Sequence, residues 1–185
     1  MGALPLRLRA AVLAIAAFLL GAPSGRAADR SLEYAVKATF LYKFAPFVEW
    51  PPSAFDQPNA PFVLCIVGND PFADSVEKTI ASQRVGDHPV LLRRLATVDG
   101  KAGCHLMFAA GSQAQTTAQA LDAVRGAPTL TVTDSGDATP GIIQFVVVEG
   151  RVNFDIDTAA AAANHLTISS KLLALAHGVT QGARR

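Results

Sequence analysis

The segment Phe62–Pro71, FVLCIVGNDP, predicts the fold class of this 185-residue chain. Its first six residues are all apolar, which is typical of a strand that is buried on both faces, as in a parallel sheet. Gly68-Asn69-Asp70-Pro71 then indicates a turn into a helix, with Asp70 as the cap and Pro71 at the first helical position. A buried strand that leads into a helix is the building unit of α/β proteins.

Helical and strand-like patterns alternate on both sides of this segment. The predicted helices are Ser31–Val48 with Ser31 as its cap, Phe72 to about Ser82, a helix after Gly111-Ser112 that ends near Arg125, Thr158–Ala163 and Thr167–His177. The further predicted strands are Pro89–Leu95, Cys104–Ala110 and Thr129–Thr133, followed by a hairpin of Ile142–Val148 and Arg151–Ile156. This order predicts a three-layer α/β sandwich of flavodoxin or Rossmann type, with a mixed, partly parallel sheet and a C-terminal β-hairpin and helices.

The segment Phe40–Pro52, FLYKFAPFVEWPP, concentrates aromatic residues and prolines and contains the only tryptophan of the chain. It could form a ligand cradle, a partner surface or part of the core. Apolar residues at four-residue spacing favour a helical face turned towards the core; these are Leu32, Val36, Phe40 and Phe44. Pro46 should end or kink this helix. The candidates for contact with another chain lie off the apolar stripe, at Tyr42, Lys43 and Glu49.

The amino-terminal residues Met1–Ala27 predict a cleavable secretory signal. Arg7 and Arg9 precede an apolar run, Ala10–Leu20, which is shorter than the roughly 20 helical residues needed to span a bilayer. Gly25-Arg26-Ala27 offers small side chains at the positions that a signal peptidase reads, so cleavage is predicted after Ala27. An uncleaved anchor is the alternative. Residues 28–185 are predicted to form a single exported α/β domain.

The charge of the exported part argues against one class of partner. Three of the 16 basic residues precede residue 28, so 13 basic side chains remain against 15 acidic ones, and the net charge is about −2. Binding to nucleic acid or to an anionic membrane surface depends on an excess of positive charge. We therefore predict no nucleic-acid partner.

The chain contains two cysteines, Cys65 and Cys104. An even number of cysteines in an oxidising, exported compartment predicts a disulfide, and buried free thiols are the alternative. A bond between them requires Cα atoms within roughly 7 Å, so their two strands would have to be close. A flavodoxin-like strand order, 2-1-3, places the first and third strands side by side, whereas the order 3-2-1 separates them.

The sequence offers little that resembles an active site. It lacks the nucleophile elbow, the zinc-protease helix, the phosphate-binding loop and the dinucleotide-binding glycine motif. His105 could tune the thiol of Cys104, but a core or rim histidine is favoured. Asp70 favours a helix cap over an anion site at Gly68–Pro71, and the spacing of Asp70, Asp134 and Asp137 matches no calcium loop. We predict no catalytic, cofactor-binding or metal-ligating residue and expect a protein that is not an enzyme.

Five blocks of sequence follow one another in this chain: FLYKFAPFVEWP, CIVGNDPF, RVGDHPVLLRRL, AGCHLMF and ISSKLLALA. Together they span about Tyr34 to His177 and resemble the YfiR-like family of exported bacterial proteins. Pro46 departs from the resemblance, because a polar or basic residue is expected at that position.

The resemblance implies a periplasmic regulator rather than an enzyme. YfiR-like proteins are associated with inhibition of a membrane-bound diguanylate cyclase through its periplasmic domain, which lowers cyclic di-GMP and biofilm formation. An outer-membrane lipoprotein can sequester the regulator, and the family is associated with homodimers and with disulfide control. Cys65 and Cys104 match the positions of one family disulfide, whereas a second pair known in some members is absent. The bond is therefore expected to be a structural staple or a redox switch.

Two other functions remain open at this point. A periplasmic small-molecule sensor module that acts on a different membrane receptor would bind its ligand in a crevice at the carboxyl ends of the strands. An envelope enzyme is the third hypothesis, although the missing motifs argue against it.

Overall fold

The structure, a computed structural model, describes the backbone of residues 24–181 and the side chains of residues 28–181. Within the described residues, the chain from Glu33 onwards forms one compact unit. Most of the predicted secretory signal, Met1–Ala27, lies outside the described residues. No helix in the described part of the chain is long and apolar enough to cross a membrane.

The elements are numbered in chain order. The helices are α1 (Ser24–Phe44), α2 (Ser75–Ile80), α3 (Thr117–Ala123), α4 (Thr158–Ala163) and α5 (Ser170–Leu173). The strands are β1 (Val48–Glu49), β2 (Phe62–Gly68), β3 (Arg84–Val85), β4 (His88–Leu95), β5 (Leu106–Gly111), β6 (Leu130–Thr133), β7 (Ile143–Val148), β8 (Arg151–Asp157), β9 (Thr167–Ile168) and β10 (Gly178–Thr180).

An eight-stranded mixed sheet has the order β10-β8-β7-β6-β5-β2-β4-β3. The five strands β4, β2, β5, β6 and β7 run parallel to one another. Strand β8 is antiparallel to β7, and β3 is antiparallel to β4. The first predicted strand, β2, thus lies between the second, β4, and the third, β5. This is the 2-1-3 order, and the mixed α/β fold is confirmed.

Layers on both faces of the sheet bury alternate residues of each central strand. Leu64 and Ile66 of β2 point into a large core that also contains buried residues of α1 and α2. Cys65 and Val67 point into a smaller core with Ala120 of α3. Period-two alternation between two apolar cores explains why this strand is apolar throughout. The arrangement confirms the three-layer sandwich.

The predicted apolar stripe of α1 is confirmed in its second half, where Phe44 is buried and Phe40 packs against the large core, but not in its first half. Leu32 and Val36 are 68% and 38% exposed, whereas Lys37 and Leu41 are fully buried. Lys37 can be buried because its ammonium group is paired with the carboxylates of Glu33 and Asp134. The cap at Ser31 is also wrong, since the helix already runs from Ser24.

Pro46 ends α1, as predicted. The last α-helical residue is Phe44, and Ala45–Phe47 form a short 3₁₀ turn. Proline cannot donate the next helical hydrogen bond. The chain then continues into β1, which pairs with β9 as a separate two-stranded sheet.

Two other predicted helices are shorter in the structure. The helix expected from Phe72 begins at Ser75, because the side chain of Asp70 accepts a hydrogen bond from the amide of Phe72 at 2.7 Å and Ala73 adopts a left-handed φ of 48°. Asp70 and Pro71 therefore belong to a turn before the helix and do not cap it.

The predicted helix Thr167–His177 is wrong. Thr167 and Ile168 pair with β1, the hydroxyl of Ser169 caps the single turn of α5, and Gly178–Thr180 pair with β8. The apolar residues that suggested one helix belong to β9, to α5 and to the segment after it. Leu175, in that last segment, is 67% exposed.

Candidate functional site

Cys65 and Cys104 form a disulfide between β2 and the residue pair that precedes β5. Their Cα atoms are 5.8 Å apart, a separation that follows from the adjacency of β2 and β5. Both side chains are buried in the smaller core, with Cys104 only 5% exposed. The bond therefore joins β2 to the segment that leads into the neighbouring strand β5.

His105 makes two backbone hydrogen bonds beside this disulfide. Its Nδ1 accepts from the amide of Val63 at 3.0 Å, and its Nε2 lies 2.8 Å from the carbonyl oxygen of Ala54. Since a carbonyl can only accept, Nε2 carries the proton and the ring is the neutral tautomer. Burial lowers the pKa of His105 and outweighs the opposing effect of the bond to Ala54.

Phe55 lies between two imidazole rings. Its ring centroid is 3.9 Å from that of His88 and 4.3 Å from that of His105, and both pairs are stacked. Nδ1 of His88 donates to the carbonyl oxygen of Ala60 at 2.7 Å. The segment Pro51–Ala60, which we call the strap, is thus attached to the sheet by two histidines and one aromatic stack.

A cavity of about 350 Å³ lies beneath the strap at the amino ends of the strands. Its lining includes Phe55, Asp56, Asp99, Cys104, His105 and Thr129. The hydroxyl of Thr129 donates to the carbonyl oxygen of Cys104 at 2.7 Å, so this buried polar group is already satisfied. Cys104 of the disulfide and His105 thus border the same cavity.

A second cavity, of about 470 Å³, lies between α3, α4 and the loop before β7. Asn164 borders it, but both ends of its side-chain amide are used: Oδ1 accepts from the amide of Gly126 and Nδ2 donates to the carbonyl oxygen of Thr129, each at 2.9 Å. Arg125 also lines the cavity and is paired with Asp122 at 3.0 Å. The polar groups at this cavity thus serve the fold.

At the carboxyl ends of β2 and β5, where a ligand crevice was considered, the two backbones approach closely. A Cβ atom on Gly68, at the end of β2, would lie 2.6 Å from the carbonyl oxygen of Gly111 at the end of β5. The amide of Asn69 donates to the same oxygen at 3.0 Å. The nearby carboxylate of Asp70 accepts from Arg94 at 2.5 Å, so it serves an ion pair rather than an anion site.

Lys37 is the centre of a buried polar network that the sequence analysis missed. Its ammonium group is 2.7 and 2.8 Å from the two carboxylate oxygens of Asp134, and it also contacts Glu33. The hydroxyl of Tyr34 donates to Asp134 at 2.9 Å. Burial by itself would raise the pKa of Asp134, but the hydrogen bond and charge of Lys37 outweigh it, so the pKa is lowered. The only signal in the sequence was a lysine four residues after a glutamate in an apolar helix.

The three aspartates that were considered for calcium do not form a metal site. Asp134 is occupied by Lys37, and Asp137 accepts from the hydroxyl of Thr117 at 2.8 Å and from the amide of Asp134 at 3.2 Å. No group of three or more histidine, cysteine, aspartate or glutamate side chains within the described residues could hold a metal ion. These carboxylates stabilise the loop after β6.

A family model described as YfiR/HmsC-like matches residues 34–177. The match covers most of the chain. This chain belongs to the YfiR/HmsC-like family. A search of curated proteins finds no match.

The family span contains all three partner-contact candidates. Lys43 and Glu49 are exposed, at the end of α1 and in β1. Tyr42 is half-buried and packs against the large core, so only part of its side chain is available to a partner. Their role remains a prediction. Sequence reasoning also missed exposed apolar side chains of the sheet, among them Leu91, Val147 and Val179.

Proposed function

We propose that this protein is a periplasmic, non-enzymatic regulator that binds and inhibits a membrane-bound diguanylate cyclase, lowering cyclic di-GMP and biofilm formation. The family match over residues 34–177 carries this proposal. The partner would be the periplasmic domain of the cyclase or of a related inner-membrane sensor. An outer-membrane lipoprotein that sequesters the regulator and a homodimeric state are parts of the same proposal.

The way in which polar side chains are used supports a binding role. Lys37 and Asp134 neutralise each other, His105 bonds two backbone groups, and Arg94 bridges Asp70 and Glu77. Each of these arrangements ties one element of the fold to another. A rigid α/β frame of this kind can present a surface to a partner without supplying reactive groups of its own.

Export to the periplasm is supported by two features. The chain begins with the features of a secretory signal, Met1–Ala27, and it carries a buried disulfide between Cys65 and Cys104. Disulfides persist in oxidising compartments and are rare in the cytosol. We therefore propose that the regulator acts in the periplasm, and residues 28–185 stay the predicted single domain.

We propose that the partner surface includes the end of α1 and strand β1. Lys43 and Glu49 project opposite charges into solvent there, and Tyr42 adds an amphipathic ring of the type enriched at interfaces. The frame beneath them is held by the pairing of β1 with β9 and by the bond from the amide of Ser169 to the carbonyl oxygen of Phe47, 2.9 Å long. Fixed charges on a rigid element favour partner selectivity.

The proposal is tested in cells that contain the intact cyclase. Deletion of the gene should raise cyclic di-GMP and biofilm formation, and the wild-type gene should restore both. Unchanged cyclic di-GMP in the deletion strain would contradict the cyclase as the target. Pull-down of envelope proteins with the exported protein then identifies the receptor that is bound instead.

The contact surface is tested with charge reversals. Lys43→Glu combined with Glu49→Lys should weaken binding to the cyclase periplasmic domain, because charges that match the partner are inverted. Lys78→Glu, an exposed change on α2, is the matched control and should bind normally. Equal binding by both variants would place the interface elsewhere.

The alternative function is a periplasmic small-molecule sensor module that feeds a different membrane receptor. The cavity of about 350 Å³ beside the disulfide supports it, because this volume lies at the lower end of the usual range for ligand pockets. A ligand should raise the melting temperature of the purified protein. A set of periplasmic metabolites that produces no shift would count against this alternative.

A further inference from the structure

One side of the large sheet leaves part of a long strand uncovered. The strands at both edges are short, as is usual in natural sheets: β10 has three residues and β3 has two. Strand β3 pairs with β4 only at His88 and Pro89, and one further bond runs from the amide of Val90 to the carbonyl oxygen of Gln83 at 3.3 Å. The rest of β4, residues 91–95, has no neighbouring strand on that side within the described residues. We call this stretch the open edge.

The hydrogen bonds of β4 fix which of its backbone groups point outward at the open edge. Successive residues of a strand direct their N–H and C=O groups to opposite sides. The amide of Val90 bonds towards β3, so the backbone groups of Leu92 and Arg94 also point away from β2. Among the described residues, these amides and carbonyl oxygens have no hydrogen-bond partner. The open edge thus offers donors and acceptors at the spacing that an added strand requires.

The side chains on one face of the open edge combine apolar surface with a cation that lacks a counter-charge. Leu91, Arg93 and Leu95 share this face of the strand, and Leu91 is 46% exposed. The guanidinium of Arg93 donates to the carbonyl oxygen of Ala102 at 2.5 Å, but it makes no ion pair within the described residues. A segment that binds here would satisfy this face with an acidic residue between two apolar ones.

The cation on the other face of the open edge already has its partners. Arg94 bridges the carboxylates of Asp70 and Glu77, and it also donates to the carbonyl oxygen of Ala73 at 2.8 Å. These bonds fasten β4 to α2 and to the turn before it. An edge that is fixed in advance lowers the entropy cost of binding an extended segment.

A second copy of this chain fits the open edge poorly. Two β4 strands related by a two-fold axis would pair antiparallel, and β3 confines this pairing to residues 91–95. The register that pairs the whole stretch places Arg93 directly opposite Arg93 of the copy. Like charges in this position destabilise an antiparallel pair. The charge of the edge therefore favours a different chain, one that is acidic at this point.

We propose that the open edge of β4 takes an extended segment of the membrane-bound partner as an added strand, in which an acidic residue lies opposite Arg93 between two apolar residues that face Leu91 and Leu95. Main-chain bonds to Leu92 and Arg94 supply affinity, and the side chains supply selectivity. This mode of binding rests on the proposed membrane-bound partner and adds a second contact to the one proposed at the end of α1.

Two capped peptides test the open edge without the natural partner. Acetyl-Val-Thr-Glu-Thr-Val-amide has the proposed pattern, and acetyl-Val-Thr-Lys-Thr-Val-amide is the matched control. In NMR spectra of the exported protein with its disulfide intact, the glutamate peptide should shift the amide protons of Leu92 and Arg94 downfield. At saturation it should slow their hydrogen exchange about fivefold, as expected for one new hydrogen bond at each amide. The lysine peptide should bind about fivefold more weakly, because its cation faces Arg93.

A reversed charge at the open edge should reverse the preference between the peptides. Arg93→Glu should bind the lysine peptide more tightly than the glutamate peptide. Arg151→Glu, an exposed change on β8 at the other end of the sheet, should keep the wild-type preference. The amide of Phe145, in the β7–β8 ladder, should stay protected throughout and so reports that each variant is folded. If Arg93→Glu does not fold, the two peptides on the wild type still decide.

The natural complex is tested with the periplasmic domain of the cyclase. The amides of Leu92 and Arg94 should become protected against hydrogen exchange when this domain binds. Leu92→Pro removes the outward N–H group, which an edge strand tolerates. Leu92→Ala removes the same contacts with the large core but keeps the donor. The proline variant should therefore bind the domain more weakly than the alanine variant.

Three results would overturn the proposal. The first is protection of the Leu92 and Arg94 amides in the free protein, whether constant or rising with protein concentration, because the edge then has another occupant. The second is an unchanged spectrum with the glutamate peptide, or equal binding of both peptides. The third is a complex with the cyclase domain in which both amides still exchange freely. A domain that does not bind at all contradicts the proposed function instead, and the peptides still decide whether the edge accepts an acidic strand.

Discussion

At the residue scale, Lys37 of α1 is a lysine that is only 1% exposed. Its ammonium group is within hydrogen-bond distance of Asp134 and Glu33, and it lies 4.7 Å from the centre of the Tyr34 ring. A buried charge is tolerated only when its partners are in place. The predicted apolar stripe therefore reaches the core at Phe40 and Phe44, whereas Lys37 is buried in place of Val36.

Lys37→Met should destabilise the protein by about 3 kcal/mol, because it leaves the half-buried carboxylate of Asp134 without its cation. Urea unfolding at pH 7 measures the change. Lys43→Met, on the exposed side of the same helix, is the control and should change stability by less than about 0.5 kcal/mol.

The effect of Lys37→Met should also depend on pH. In the wild type the pKa of Asp134 is lowered, so the stability from this pair is present above about pH 3.9 and is lost as the pH falls through the folded pKa. Without Lys37, burial should raise the pKa of Asp134 instead, so protonation then favours the folded variant. The stability difference between the two proteins should therefore be smaller at pH 4 than at pH 7, and an equal difference would exclude Asp134 as the source.

Gly68 is a second single residue on which the fold depends, because its position tolerates no larger side chain. Its φ is 87°, and a Cβ atom would meet the backbone of Gly111 at 2.6 Å. Gly68→Ala should therefore destabilise by about 3 kcal/mol, from backbone strain together with overpacking. Gly86→Ala also has a positive φ, of 56°, but nothing lies within 4 Å of its Cβ, so it should cost only about 1 kcal/mol. Thermal unfolding of both variants separates the clash from the strain.

At the scale of elements, helix α4 follows the hairpin and is attached to the rest of the fold through the side chain of Asn164. Helix α4 has only six residues, which is too short to be stable alone. Asn164 follows it, is 6% exposed and bonds the backbone of Gly126 and of Thr129. These bonds connect α4 to the turn after α3 and to the start of β6.

Asn164→Ala should destabilise the protein by about 2 kcal/mol, because two buried backbone groups lose their partners. Asn164→Asp should be at least as harmful, since a carboxylate cannot donate to the carbonyl oxygen of Thr129. Asn153→Ala is the control, because Asn153 makes one exposed bond to Arg151. Chemical denaturation checks all three, and equal stability of Asn164→Ala and the control would show that Asn164 does not connect these elements.

At the scale of the whole molecule, the disulfide closes a separation of 39 residues that includes β3, β4 and α2. It therefore limits the conformational freedom of the unfolded chain between Cys65 and Cys104. The same bond borders the cavity beneath the strap. A structural staple and a regulatory bond are thus compatible with the same position, and stability measurements separate them.

The double variant Cys65→Ala/Cys104→Ala should lose about 4 kcal/mol of stability, because the unfolded chain regains the entropy of an open loop. Reduction of the wild type should cause a similar loss, whereas a reductant should leave the double variant unchanged. If the double variant is stable but binds its partner differently, the bond is a switch rather than a staple.

The class of fold could be predicted because it depends on local pattern, and the cysteine pairing because the chain has only two cysteines and is predicted to be exported. The continuous apolar run of β2 indicates a strand with two buried faces, and a bond between Cys65 and Cys104 requires the 2-1-3 strand order that the structure shows. Pro46 ends α1 for a reason that lies within the backbone itself.

The site could be predicted only in part. The sequence marks Cys104 and His105 as neighbours, but it does not show that Phe55 stacks on His105 or that the carbonyl of Ala54 meets its ring, across 51 residues. The partner-contact residues Tyr42, Lys43 and Glu49 stay predictions at the surface.

By itself, the sequence determined the α/β class, a strand that is buried on both faces, the end of α1 and the family. Only the tertiary structure decided which face of α1 is buried, where the C-terminal apolar residues go and how the strap meets His105. The physical reason is the separation along the sequence over which each interaction acts. Strand burial and a proline break act within a few residues, whereas Lys37 and Asp134 are 97 residues apart and their attraction exists only once the chain has folded.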